Sequence, residues 1–84
     1  MFYVYILQCS DNSLYTGWTL DLDKRVRYHN KGKASKYTRA RLPVKLVYYE
    51  IYNEKSDALK REYEIKQYSR NKKLKLIGFE EVAK

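Results

Sequence analysis

The apolar and polar positions of this chain alternate in short blocks that predict three strands and three helices. Residues 2–8 and 14–19 are rich in β-branched and aromatic side chains, and residues 10–13 supply turn chemistry between them. Together these blocks predict a β-hairpin. A third apolar block, VKLVYYEIY, follows Pro43 and predicts a third strand, because proline is tolerated at a strand's first residue.

Helical spacing begins directly after the hairpin. Leu22, Val26 and His29 recur at intervals that place them on one face of a helix, and Asp21 is a suitable N-cap before them. The pattern stops at Gly32. The sequence therefore predicts a short helix over residues 21–30.

The second half of the chain contains two further helical patterns. Residues 31–41 are basic and without clear period, which predicts a loop or one irregular helical turn. Asn53 or Ser56 then caps a longer helix that reaches about Ser69. Ser69 caps a last short helix, which Gly78 ends. The order β-β-α-(loop)-β-α-α predicts an α+β fold, a small three-stranded antiparallel sheet flanked by helices.

Composition narrows the class of protein. A chain of 84 residues predicts a single domain over residues 1–84, and its 18 Lys and Arg against 10 Asp and Glu give a net charge of +8. This charge predicts anionic partners, nucleic acid before a membrane. No apolar run is long enough to cross a bilayer and no signal peptide is evident, so we expect a cytoplasmic protein. Cys9 is the only cysteine, which excludes a disulfide, and we expect it to be a small buried apolar residue.

Polar residues interrupt two helical faces that should be apolar. The inward face set by Leu22 and Val26 continues through Arg25 and His29, and Glu62 lies in the middle of the inward face of the longer helix. A buried carboxylate is costly unless a cation or a metal satisfies it. One interpretation is an internal Arg25–Glu62 ion pair that ties two helices together, with His29 as a packing residue; the other is an active site.

The tyrosines are open to the same two interpretations. Ten tyrosines in the chain are many, but tyrosine is also a good strand former. Tyr5 and Tyr15 share a face of the hairpin if Tyr5 pairs with Gly17 or Thr19, which needs a loop of three or five residues or a bulge. A two-residue turn at 11–12 would place the two rings on opposite faces. A functional role for both tyrosines therefore depends on the register.

These residues, taken in order, match the pattern of a known family. Tyr3-Val4-Tyr5, Tyr15-Thr16-Gly17, Arg25 with His29 four residues later, and Glu62 within ALKREYEIK resemble the GIY-YIG nuclease superfamily. The KYTR and LVYYE segments bring the chain closest to the small, stand-alone, largely uncharacterised bacterial members. The resemblance covers residues 2–77. Tyr3 replaces the first glycine of the pattern and Thr16 replaces an isoleucine, and neither position carries a reacting group in the family.

The resemblance implies a metal-dependent endonuclease that hydrolyses DNA phosphodiester bonds, with branched or damaged DNA in repair or recombination as possible substrates. It implies that Glu62 holds one Mg²⁺ or Mn²⁺ that binds only with substrate, and that Arg25 clamps the phosphate. Tyr5 is the candidate general base, Tyr15 would orient water or phosphate, and His29 would hydrogen-bond a tyrosine or relay its proton. An unidentified protein partner is a possible source of specificity.

Basic residues of the central loop and the later helices offer a surface that could follow a phosphate backbone. The predicted nucleic-acid-binding residues are Lys31, Lys33, Lys36, Arg39, Arg41, Lys66, Arg70 and Lys72. Two alternatives remain at this point: a nucleic-acid-binding module with weak or lost catalysis, and a protein-interaction domain built on a structural ion pair. The family uses a late asparagine in some members, and the role of Asn71 stays open.

Overall fold

The structure, a computed structural model, describes residues 1–78; the end of the predicted domain, residues 79–84, lies outside it. The predicted α+β class and three-stranded antiparallel sheet are confirmed, and one helical turn forms within the basic segment 31–41. The elements are β1 (Phe2–Gln8), β2 (Leu14–Thr19), α1 (Leu22–Asn30), α2 (Lys36–Arg39), β3 (Lys45–Tyr52), α3 (Lys55–Lys66) and α4 (Arg70–Leu76).

The sheet has the order β2-β1-β3, so the most apolar strand lies in its centre. A five-residue connection joins β1 to β2, and the register places Tyr5 opposite Gly17. Asn12 takes a positive φ of 68°, and the Asp11 carboxylate accepts the Ser13 amide at 3.0 Å to close the turn. This is the register that brings Tyr5 and Tyr15 to the same face, as the active-site hypothesis requires.

Helices cover both faces of the sheet. On one face Val4 and Ile6 form a buried cluster with Ala58 and Ile65 of α3. On the other face the strand residues Tyr5 and Leu7 form a second cluster with Cys9 and Val44, against which α1 packs. Cys9 is buried as expected, and the alternation along β1 separates an α3 side from an α1 side.

The helix boundaries confirm two predicted caps, Asp21 of α1 and Ser69 of α4, and correct a third. Asp21 caps α1, its carboxylate accepting the Lys24 amide at 3.0 Å. The predicted cap of α3 at Asn53 or Ser56 is wrong, because the helix follows Glu54, whose side chain makes no capping bond. The end of β3 and the packing of Ala58 against the sheet set this start instead.

The end of α3 also differs from the prediction. The helix stops at Lys66 and not near Ser69, because Ser69 is the N-cap of α4 and takes an extended conformation, φ −67° and ψ 164°. Its hydroxyl accepts the Lys72 amide at 3.2 Å. A residue that caps the next helix cannot also continue the preceding one. The predicted end of the last helix at Gly78, where φ is +81°, is confirmed.

The third strand starts two residues later than predicted. Pro43 and Val44 precede it, and both backbone groups of Val44 bind the side chain of Asn30, at 2.7 and 3.0 Å. These bonds tie the entrance of β3 to the end of α1. The longest helix, α3, has 12 residues, and no helix within residues 1–78 has the length and apolarity needed to cross a membrane.

Candidate active site

A cavity of about 720 Å³ is lined by residues of β1, β2, α1 and α3. The residues predicted to carry the chemistry share this cavity, although they are spread over 58 positions of the chain: Tyr5, Tyr15, Arg25, His29 and Glu62. The structure thus brings the whole predicted set together. Their individual roles stay predictions.

Gly17 makes room for both tyrosine rings. A Cβ atom at position 17 would lie 2.6 Å from the Tyr5 hydroxyl, 2.8 Å from Tyr5 Cζ and 3.3 Å from Tyr15 Cε2. The first two separations are shorter than van der Waals contact, so a larger residue would push the Tyr5 ring out of place. The glycine of the second triplet is therefore needed for space at the active-site face.

A chain of hydrogen bonds leads from the cavity into the interior. The Tyr5 hydroxyl lies 3.0 Å from His29 Nε2, and His29 Nδ1 lies 2.8 Å from Thr38 Oγ1. All three side chains are buried. Thr38 was not among the predicted site residues, although it belongs to the KYTR segment. That segment was the available signal.

Burial decides the protonation of the free site. It raises the pKa of Tyr5 well above the ordinary value; the nearby Tyr15 and Glu62 act in the same direction and Arg25 opposes them. Burial, with Arg25 beside it, lowers the pKa of His29 to about 4. At neutral pH the Tyr5 phenol is therefore protonated and the His29 imidazole is neutral.

The predicted alternative of an Arg25–Glu62 ion pair is wrong. The Glu62 carboxylate, 16% exposed, pairs with Lys66 Nζ at 3.2 Å, one helical turn away on α3. Among residues 1–78 Arg25 forms no ion pair with a carboxylate. Glu62 finds its nearest cation within its own helix, which leaves the Arg25 guanidinium free to meet an anion in the cavity.

The donor set at Glu62 suits a divalent cation that arrives with a phosphate. Within residues 1–78 no three acidic, histidine or cysteine side chains converge on a common metal position. Glu62 offers a single carboxylate, and Mg²⁺ accepts one carboxylate when waters and phosphate oxygens fill its other positions. Lys66, which is 48% exposed, can move away into solvent. The residues present therefore fit a weakly held ion completed by substrate.

Half of the predicted nucleic-acid-binding residues lie exposed near α1 and α2. These are Lys31, Lys33, Lys36 and Arg39, and none of them forms an ion pair within the described part of the chain. Lys24, which the sequence analysis did not single out, lines the cavity next to Arg25. Its position beside Arg25 on the same helix was the signal that could have found it.

The other four predicted binding residues already have partners. Arg41 Nε pairs with the Asp11 carboxylate at 3.0 Å, and Lys66 pairs with Glu62. Arg70 donates to the Asn12 carbonyl at 2.7 Å, and the Lys72 ammonium lies 4.2 Å from the centre of the Tyr68 ring. Nucleic acid would have to compete with these contacts.

Aromatic contacts hold the ring of Tyr15. Tyr37 of α2 stacks on it with centroids 6.0 Å apart and an interplanar angle of 24°, and His29 meets it edge-on at 5.3 Å. The Arg41 guanidinium lies over the Tyr37 ring, 3.8 Å from its centroid. Tyr15 is therefore placed by packing, whereas Tyr5 is placed by a hydrogen bond.

A second polar cluster lies on the α3 side of the sheet, and the sequence analysis missed it. Arg61 donates to both oxygens of Glu50, at 2.8 and 2.9 Å, while the hydroxyls of Tyr48 and Tyr52 donate to the same carboxylate. Burial alone would raise the pKa of Glu50, but hydrogen bonds from Arg61 and the two tyrosines outweigh it and lower the pKa to about 2. We call these four residues the Glu50 cluster.

The two residues that depart from the family pattern, Tyr3 and Thr16, lie away from the cavity, and so does Asn71. Tyr3 packs edge-on against Tyr49, with ring centroids 6.1 Å apart. Thr16 is buried, and its hydroxyl has no partner among the described residues. Asn71 is exposed on α4 and does not line the cavity. None of the three is among the groups that line the cavity.

Comparisons with known proteins give a consistent family. The model of the GIY-YIG catalytic domain matches residues 1–75. A UPF0213 protein of Staphylococcus saprophyticus is 60% identical over 76 residues, which cover 90% of this chain and 93% of that protein. A UPF0213 protein of Staphylococcus aureus is 61% identical over 75 residues, covering 89% and 92%.

Two solved structures resemble the chain along nearly its whole length. The solution NMR structure of a UPF0213 protein from Bacillus halodurans has 45% sequence identity and a TM-score of 0.61, covering 99% of this chain and 89% of that one. The solution NMR structure of a protein from E. faecalis has 34% identity and a TM-score of 0.60, covering 98% and 91%.

Proposed function

Because this chain belongs to the GIY-YIG catalytic-domain family, a nuclease superfamily, we propose that it is a metal-dependent endonuclease that hydrolyses DNA phosphodiester bonds. Branched or damaged DNA of repair or recombination is the proposed substrate. The observation that carries the proposal is the convergence of the predicted catalytic set in one cavity. A nucleic-acid-binding module would need the basic surface, but it has no use for a largely buried carboxylate that shares a cavity with two tyrosines and with an arginine without an ion-pair partner in residues 1–78.

Arg25 is proposed to hold the scissile phosphate. Its planar guanidinium can donate to two phosphate oxygens at once, and these bonds strengthen as charge develops on the oxygens in the transition state. The absence of an ion pair to Arg25 within residues 1–78 supports this role, because no carboxylate competes there with the phosphate. Lys24, on the same cavity wall, adds positive potential.

Tyr5 and His29 are proposed to remove the proton from the attacking water. The Tyr5 oxygen takes the water proton as the new oxygen–phosphorus bond forms, and the phenol proton passes to His29 Nε2, 3.0 Å away. The bond from phosphorus to the leaving oxygen breaks, and that oxygen takes a proton from solvent. Tyr15, with its ring fixed by Tyr37, orients the water or the phosphate.

Glu62 is proposed to hold Mg²⁺ or Mn²⁺, which would neutralise charge on the phosphate oxygens. The carboxylate must first leave Lys66, its partner in the free protein. Because Glu62 is a single ligand, we expect tight metal binding only when DNA occupies the cavity. Exposed cations near α1 and α2 then follow the backbone on either side: Lys31, Lys33, Lys36 and Arg39.

The test is a cleavage assay with end-labelled single-stranded, linear double-stranded and branched DNA, and with RNA, each with Mg²⁺, Mn²⁺ or EDTA. We expect metal-dependent cleavage of at least one DNA substrate, and its loss in Glu62→Gln and Tyr5→Phe. Glu54→Gln is the matched control, because it makes the same chemical change at an exposed position just before the same helix.

Two results would count against the proposal. Cleavage that persists unchanged in Glu62→Gln would mean that another protein in the preparation, or another group, does the chemistry. Salt-sensitive DNA binding with no cleavage under any metal would favour the binding module.

A further inference from the structure

We propose that Thr38 is a positioning residue that holds His29 in the tautomer with its proton on Nδ1. In this tautomer the lone pair of Nε2 faces the Tyr5 hydroxyl and can take its proton. No motif residue of the family pattern in this chain supplies this function. The catalytic consequence rests on the proposed function, whereas the tautomer itself does not.

The inner end of the hydrogen-bond chain favours one direction. The Ser35 carbonyl can only accept, so Thr38 Oγ1 is the donor in their long contact of 3.4 Å. With its one proton turned toward Ser35, the Thr38 hydroxyl accepts from its other neighbour, His29 Nδ1, at 2.8 Å. Nδ1 carries the proton, and the neutral ring leaves Nε2 as an acceptor.

The outer end of the hydrogen-bond chain, at Tyr5, indicates the same tautomer of His29. The Tyr5 hydroxyl is protonated in the free protein, because burial raises its pKa. Its partner among the described residues is His29 Nε2, at 3.0 Å. In the opposite tautomer Nε2–H would donate to the Tyr5 oxygen, and the phenol proton would turn toward the cavity, where it has no hydrogen-bond partner among the described residues. Both ends therefore favour the same placement of protons.

The short helix α2 is built to hold the Thr38 hydroxyl in place. Its N-cap Ser35 accepts the Thr38 amide at 3.2 Å, and the Arg41 amide donates to the Thr38 carbonyl at 2.9 Å. The Arg41 side chain then links α2 to the hairpin. It donates to the Tyr37 carbonyl of α2 at 2.8 Å and to the Asp11 carboxylate of the hairpin turn at 3.0 Å. A single helical turn is not stable alone, and these bonds explain how Thr38 stays fully buried.

Among residues 1–78 no other group competes with Thr38 for Nδ1. The titratable and charged residues that face His29 or share its cavity are Tyr5 from β1, Tyr15 from β2, Lys24, Arg25 and Tyr28 from α1 with its N-cap Asp21, and Glu62 from α3. Among these, Tyr5 hydrogen-bonds the opposite nitrogen and Tyr15 meets the ring edge-on. The bond to Thr38 is thus the one hydrogen bond that the described residues make to Nδ1.

Nitrogen-15 NMR tests the tautomer directly, because His29 is the only histidine of the chain. Long-range ¹H–¹⁵N correlation of the ring at neutral pH should show a protonated Nδ1 and a bare Nε2 in the unmodified protein and in Thr38→Ser. In Thr38→Val, which removes the hydroxyl at nearly constant volume, we expect a shift toward the Nε2-protonated form. A protonated Nε2 in the unmodified protein, or an unchanged tautomer in Thr38→Val, overturns the proposal.

Cleavage assays show whether the tautomer matters for catalysis. We expect kcat of Thr38→Val to fall about tenfold or more at unchanged KM, and Thr38→Ser to restore it. Equal kcat in both variants would overturn the catalytic part. If Thr38→Val does not fold, the tautomer of the unmodified protein and kcat of Thr38→Ser decide. If no variant cleaves DNA, the unmodified protein included, the proposed function fails while the NMR result still tests the tautomer.

Discussion

Two neighbouring residues of α3, Arg61 and Glu62, serve polar clusters on opposite faces of the sheet. Arg61 binds both oxygens of Glu50 and also reaches the Glu64 carboxylate at 3.0 Å and the Tyr68 hydroxyl at 3.1 Å. Glu62 lines the cavity of Tyr5 and has one partner among the described residues, a lysine on its own helix. The Arg61 guanidinium therefore has several partners within the protein, whereas the Glu62 carboxylate has a single ion pair with an exposed lysine.

This difference separates a scaffold from a candidate active site. A charge network with all its hydrogen bonds filled fixes one arrangement, and breaking it leaves a buried charge unpaired. The cavity instead contains a protonated tyrosine, a carboxylate paired only with a lysine of its own helix, and an arginine that has no ion-pair partner among the described residues, so a ligand can still bind these groups. We therefore expect changes in the Glu50 cluster to lower stability and changes in the cavity to lower activity.

The largest expected effect is on catalysis, in Arg25→Lys. Loss of the planar fork should lower kcat for DNA cleavage by about 10²- to 10³-fold, about 3–4 kcal/mol of transition-state stabilisation. The free energy of unfolding should stay within about 0.5 kcal/mol, because no ion pair is lost. Cleavage rates and urea denaturation measure the two quantities. The control is Arg27→Lys on the exposed side of α1. Equal kcat in both variants would show that Arg25 has no specific role in cleavage.

The next effect is on stability, in Arg61→Met. The variant leaves the Glu50 carboxylate with only its tyrosine donors, and we expect the free energy of unfolding to fall by about 2–3 kcal/mol, less than for a fully buried pair because both side chains are about a fifth exposed. Urea denaturation measures the loss. Lys60→Met, at the exposed neighbouring position, should have little effect. A similar loss in both variants would mean that the Glu50 cluster contributes nothing specific.

Gly17→Ala should affect both properties, because position 17 lies where the sheet meets the cavity. Its Cβ would lie 2.6 Å from the Tyr5 hydroxyl, so the ring must move. We expect a loss of about 1–2 kcal/mol in stability and about a tenfold fall in kcat. Adding Tyr5→Phe, which removes the nearest atom, should recover part of the stability. No recovery in the double variant would place the strain elsewhere.

The smallest expected effect is the pH dependence of stability, which differs between the two regions. His29 has a pKa of about 4 in the folded protein, below its ordinary value, so the unfolded chain binds a proton first and stability falls between about pH 6.5 and 4. Glu50, with its pKa lowered to about 2, stabilises the fold fully above about pH 4.5 and progressively less down to pH 2.

Across each of these two pH ranges, we expect the free energy of unfolding to fall by about 1–2 kcal/mol after allowance for solvent screening. Urea denaturation from pH 7 to 2 measures both. The Arg61→Met variant should keep the upper window and lose most of the lower one. A variant that retains both windows would show that Arg61 does not set the pKa of Glu50.

The sequence predicted the sheet and much of the site because both depend on local patterns. The alternation around Tyr5 and the turn residues at 10–13 constrain the hairpin, and the helical period placed His29 on the inward face, where it is 1% exposed. The family pattern then supplied Arg25 and Glu62 as members of the same site. Local spacing and a motif were sufficient for these features.

Features that depend on how a helix rotates over the sheet could not be predicted. Arg61 and Glu62 are adjacent charges on one helix, and no local rule says which of them meets Glu50 and which faces the cavity. The Arg25–Glu62 ion pair, one of the two interpretations of the sequence, was wrong for another reason: both side chains line the same cavity, but the Glu62 carboxylate pairs with Lys66 on its own helix. Thr38 was missed because a buried threonine shows its role only through its partner, nine positions away.

The central claim is that, of two neighbouring residues of α3, Arg61 serves the stability of the fold and Glu62 serves catalysis. The most direct test measures DNA cleavage and the free energy of unfolding in Glu62→Gln and Arg61→Met side by side. We predict that Glu62→Gln loses cleavage by about 10³-fold or more and keeps its free energy of unfolding within about 1 kcal/mol, whereas Arg61→Met loses stability and, where folded, keeps its cleavage rate. Cleavage at the unmodified rate in Glu62→Gln, or unfolding of both variants to the same degree, would contradict it.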